Sequence, residues 1–116
     1  MLTPQAFRDA CDRFALEWGL WQTSGRRTDE HSKSLPGGFS HDPHSWGAAI
    51  DCLPLPLPDR TRHEMATRAA ELGLLVLFES DHIHVNPLGW PVGPVTVAPD
   101  PSWEGLHSTP TPKVVS

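Results

Sequence analysis

Cys11 and Cys52 are the only cysteines in the chain. Two are too few for a disulfide framework, so the default state is two reduced thiols and the fold must stand on packing. The formal net charge of −5 comes without any block of like charge. That excludes recruitment to nucleic acid or to an anionic membrane by bulk electrostatics and suits a small or peptide-like substrate. No apolar run reaches membrane-spanning length, and the first 19 residues contain Arg8, Asp9, Asp12, Arg13 and Glu17, which a secretory h-region excludes. The expectation is a protein made in the cytoplasm and not inserted in a membrane. There is no internal repeat.

What is present suits one domain with one modest core, because a chain of 116 residues buries only about two-thirds of the surface its unfolded form exposes. With 13 prolines and 9 glycines, long loops are expected to carry the function. Thr3-Pro4 starts a helix whose apolar face is Phe7, Cys11, Phe14 and Trp18, and Gly19 stops it. Residues 20–24 read as a short strand and residues 25–43 as a long loop without periodicity, which in a compact domain shapes a site. Residues 46–53 read as a strand that delivers Asp51, and Leu53 to Pro58 as an extended connector. Asp59 is expected to cap a helix over residues 60–72, with Thr61 and Glu64 placed for a capping box and Gly73 as its stop. Residues 74–78 and 82–86 read as strands, the second with His82 and His84 on one face. A domain over residues 1–98 and a flexible proline-rich tail over 99–116 follow from the density of proline after Pro87.

A catalytic zinc site takes three ligands from His, Asp or Glu and keeps a fourth position open. Two clusters supply such residues: His44-Ser45-Trp46-Gly47-Ala48-Ala49-Ile50-Asp51, and Glu79-Ser80-Asp81-His82-Ile83-His84. Either alone is weak, since the chain has seven histidines and pairs arise by chance.

Read together over residues 23–86, the motifs Ser24-Gly25-Arg26-Arg27, Gly37-Gly38, His44-x-x-Gly47-x-Ala49-x-Asp51 and His82-Ile83-His84-Val85 resemble the zinc D-alanyl-D-alanine carboxypeptidase and L-alanyl-D-glutamate endopeptidase family. The Glu-Ser stretch leading into His-Ile-His is also similar to the signalling domain of hedgehog proteins, which shares that fold. The resemblance implies an α+β fold with a small antiparallel sheet and packed helices, and one Zn²⁺ per chain on His44, Asp51 and His84, with His82 as the register-shifted alternative. It implies Asp81 as general base, with Glu79 paired to His82 as runner-up, and His82 otherwise beside the metal or the oxyanion. Arg27 takes the position of a substrate-binding arginine, with Arg26 its neighbour.

The activity implied is hydrolysis of a peptide bond in peptidoglycan stem peptides by a monomer, reaching the cell wall on lysis or in a virion, as a phage or prophage endolysin would. The competing expectation is a non-catalytic zinc module that binds a protein partner or serves in a virion. Two departures from the family pattern stand out: Asp42 where serine is usual two residues before His44, and Ile83 in place of an aromatic. His31, His41, His63 and His107 are read as solvated, and Trp18 and Trp46 as core.

Overall fold

The computed structural model describes residues 1–35, 42–54 and 58–108. The Gly37-Gly38 pair, His41, the middle of the Leu53–Pro58 connector and the end of the tail from Thr109 lie outside the described residues. Among the described residues, three α-helices and four strands follow one another as α1 (Pro4–Trp18), β1 (Trp21–Ser24), α2 (Asp29–Ser34), β2 (Ile50–Leu53), α3 (Asp59–Glu71), β3 (Leu74–Phe78) and β4 (Ile83–Pro87). The fold is α+β, as the sequence indicates.

Helix α1 forms where its caps require. The Thr3 hydroxyl accepts from the Ala6 amide at 3.3 Å, and Gly19 at φ +64° closes the last turn by donating to the Ala15 carbonyl. The cap of α3 departs from expectation. Its N-cap is Pro58, without a side-chain cap, and Asp59 pairs instead with Arg62 while Glu64 accepts from Arg60 at 2.8 Å. Arginine one turn away draws each carboxylate sideways along the helix surface, an (i, i+3) or (i, i+4) pairing that competes with capping.

The strands make one antiparallel sheet in the order β1-β2-β4-β3. Because side chains alternate along a strand, the sheet has two unlike faces. Cys52, Ile83, Val85, Leu74 and Val76 point to one face and pack under Phe7, Cys11 and Phe14 of α1 and Met65 and Ala69 of α3. Residues directly opposite across strands share a face, so the pairings Ser24↔Asp51, Asp51↔His84 and His84↔Leu77 set a single row across the other face. A bulge in β1 between Gln22 and Ser24 brings Ser24 opposite Asp51.

Two sequence expectations need correction. The segment 46–53 is a strand only from Ile50, preceded by a 3₁₀ turn over Pro43–Trp46, and the loop 25–43 contains α2. Both are too short for a periodic signal. Beyond residue 98, Trp103 is 0% exposed, meets Phe7 at 6.0 Å and Trp90 at 5.3 Å between ring centroids, and donates its Nε1–H to the Leu2 carbonyl at 3.2 Å. One indole outweighs the disorder signal of the prolines around it. Trp103→Ala should therefore cost about 3–5 kcal/mol in urea unfolding, and an unchanged midpoint would remove this segment from the core.

Cys11 and Cys52 are free and buried. Burial, then the neighbouring Cys52 and Asp12, push the Cys11 thiol up; burial, then the charge of Asp51, pushes Cys52 up to about 11. The thiolate is the reactive form. Folded protein at pH 8 should accordingly resist iodoacetamide at both thiols and label only with denaturant, as intact mass would report.

Candidate metal centre

The segment that carries His44 is built by small and capping residues. Asp42 caps the 3₁₀ turn by accepting from the Ser45 amide at 3.0 Å. Gly47 ends it at φ +72°, where the Arg26 side chain would lie 3.4 Å from any Cβ. Ala48 and Ala49 are fully buried, so the chain can dive into the sheet and emerge with Asp51 on the opposite face.

His44, Asp51 and His84 are the described side chains brought together as a metal-ligating group, their ligand atoms all within 4.8 Å of one another. The tautomers follow from their partners. His44 Nδ1 lies 2.8 Å from the Gly25 carbonyl, which can only accept, so this nitrogen carries the proton and Nε2 is left with its lone pair. Asn86 Nδ2 donates to the Pro87 carbonyl, so Asn86 Oδ1 accepts from His84 Nε2 at 2.8 Å and leaves His84 Nδ1 with its lone pair. Those two free nitrogens approach Asp51 Oδ1 at 3.4 and 3.6 Å.

Asp51 Oδ2 accepts from the Ser24 hydroxyl at 2.6 Å, while buried Oδ1 has no hydrogen-bond donor among the described residues. Burial alone would raise this carboxyl. The His44 ring, then the His84 ring and the Ser24 hydroxyl, outweigh it and hold Asp51 far below the usual carboxylate range; a ring does so by turning an N–H to Oδ1, and where its lone pair faces Oδ1 instead, a bound cation takes that part. A buried anionic oxygen without a donor, facing two imidazole lone pairs, fits a metal cation. The group can bind a metal ion.

These residues line a cleft of about 510 Å³, together with Arg27, Asp42, Glu79, His82 and Asn86 and an apolar side that includes Leu75, Leu77 and Trp90. His82 stands outside the three-ligand cluster. Its Nε2 lies 3.5 Å from Asp51 Oδ1, and its Nδ1 lies 2.6 Å from Asp81 Oδ1. The Asp81 side chain is 83% exposed and does not line the cleft, whereas Glu79 does. Arg27 faces the cleft, and its guanidinium is bonded at 3.0 Å to Asp42. Arg26 turns away to the Ser45 carbonyl at 3.4 Å and serves the backbone.

Ser24, Gly25 and Asn86 are orienting groups to which the sequence reading assigned no role. A signal for Asn86 exists: it lies two residues after His84 and so shares its face. No family model, curated protein or solved structure matches the chain. Such orienting partners commonly govern affinity, so Asn86→Ala should weaken metal binding by about 10–100-fold in chelator competition, with an unchanged circular dichroism spectrum.

Proposed function

We propose that the chain is a zinc-dependent peptidase that cleaves a bond in peptidoglycan stem peptides, with the hedgehog and D-alanyl-D-alanine peptidase type of zinc fold. The observation that carries this reading is the pairing of a His44, Asp51, His84 ligand group with a carboxylate-supported histidine, His82, in one cleft. Ligand atoms around a tetrahedral zinc stand about 3.3 Å apart, close to the 3.4 and 3.6 Å approaches of His44 and His84 to Asp51. Two imidazoles and one carboxylate are a catalytic zinc donor set, and zinc there supplies Lewis-acid polarisation of the scissile carbonyl and a lowered pKa for water.

The proton work falls to the chain. With Asp81 on Nδ1, His82 holds its proton there and presents the Nε2 lone pair toward the metal centre. His82 takes a proton at Nε2 from the attacking water, Asp81 stabilises the imidazolium, and the same nitrogen then protonates the leaving amine. This gives Asp81 a supporting part in place of direct base, and keeps Glu79, on the cleft wall, as the second carboxylate that can receive the proton. Arg27, oriented by Asp42, offers its forked donors to a substrate carbonyl or carboxylate.

With one zinc loaded, His82→Ala should lose about 10²–10⁴-fold in turnover of defined muropeptides followed by mass spectrometry, while metal content stays at one per chain. Loss in Glu79→Gln with activity kept in His82→Ala would move the base to Glu79. Zinc-loaded wild-type protein that cleaves no wall peptide would sink the peptidase reading and leave a non-catalytic zinc module.

A further inference from the structure

The segment that the prolines marked as a tail reaches the metal centre from behind. The His107 ring stacks on Trp46 with centroids 4.2 Å apart and planes 26° apart, and its Nδ1 lies 3.4 Å from the Ser45 hydroxyl. Its Nε2 pairs with Asp29 of α2 at 3.1 Å. The next amide, of Ser108, donates to the Ser45 carbonyl at 2.8 Å. Ser45 and Trp46 directly follow His44, so three stretches far apart in sequence are pinned on the turn that carries the first ligand.

Asp29, His107 and Ser45 have the residue types of a nucleophilic triad, yet they cannot act as one. Ser45 is 0% exposed and its hydroxyl donates to the Asp42 carbonyl at 2.8 Å. Substrate cannot reach it, and the arrangement is mechanical. The His44 carbonyl accepts the Arg27 and Gly47 amides at 3.1 Å each, so the turn is tied from the front by the Ser24–Arg27 segment and from the back by residues 107–108.

We infer that His107 is a positioning residue for the metal centre: clamped between Asp29 and Trp46, it fixes the Pro43–Trp46 turn so that His44 Nε2 faces Asp51 before any metal arrives. Preorganisation of this kind raises affinity by removing the cost of ordering a ligand on binding. As a statement about a zinc ligand the inference rests on the reading above; as a statement about the turn it can be tested without metal or substrate.

The decisive measurement is site-resolved amide hydrogen exchange on the full, metal-free chain, wild type against His107→Ala and His107→Phe. Phenylalanine keeps a ring for Trp46 and loses the Asp29 and Ser45 contacts. In both variants exchange at Arg27 and Ala48, whose amides bond the turn at His44 and Pro43, should speed up at least about ten-fold while β3 and β4 keep wild-type protection. Zinc affinity should fall about ten-fold, with a shifted Co²⁺ absorption spectrum. Unchanged exchange at Arg27 and Ala48 with zinc affinity within about two-fold of wild type would overturn the inference. So would faster exchange spread evenly through the sheet, which marks general loosening. If His107→Ala does not fold, Asp29→Asn, which leaves ring and stack in place, must show the same local acceleration. Absence of zinc binding in wild-type protein would refute the zinc peptidase and leave the exchange result to judge the clamp.

Discussion

One oxygen atom organises the site: Asp51 Oδ1, anionic, buried and short of a hydrogen-bond donor among the described residues. Leaving a charged oxygen in this condition is costly unless a cation or several aligned dipoles answer it. In their neutral forms His44 and His84 cannot answer it by donating, because the Gly25 carbonyl and the Asn86 amide have already claimed their protons on the far nitrogens. The folded chain therefore holds three electron-pair donors against one another. Their mutual repulsion is tolerated because each is fixed by a different part of the fold: the 3₁₀ turn, β2 and β4.

Much of this could be read beforehand. His44, Gly47, Ala49 and Asp51 are legible because each answers a local demand: a ligand, a left-handed turn end, a buried crossing and a strand-borne carboxylate. Helices α1 and α3 were legible from Phe7, Cys11 and Phe14 and from Met65 and Ala69, whose spacing reports one buried face. The parts that escaped depend on distance in sequence. Nothing local to Trp103 reveals that it completes a cluster with Phe7 and Trp90, and nothing near His107 reveals Asp29 or Ser45. Asp81 illustrates a different relation. Its spacing to His84 fits an acid-x-x-His pattern, but at the exposed corner before β4 its carboxylate reaches the adjacent His82 ring more readily than the cleft.

Asp42 shows how one residue can serve two demands. Its Oδ1 still caps the turn, as a hydroxyl would, while its Oδ2 binds the Arg27 guanidinium. An arginine that would otherwise bring a bare positive charge toward a cation site is thereby partly neutralised, lowering the repulsion a metal would meet on entering. Asp42 thereby keeps the cleft compatible with a cation and fixes the direction of the guanidinium.

The row Ser24, Asp51, His84 and Leu77 lies on the opposite side of the strands from Cys52, Ile83 and Val85. Because strand alternation has a period of two, slipping β4 by one residue would carry His84 into the apolar layer under the helices and turn an apolar neighbour out to the cleft. The energy that prevents such a slip is supplied by the core, on the face turned away from the cleft. Assembly of the His44, Asp51, His84 group is thus a by-product of correct strand pairing: a chain that has found its hydrophobic register has, in the same step, aligned the two members that the strands carry.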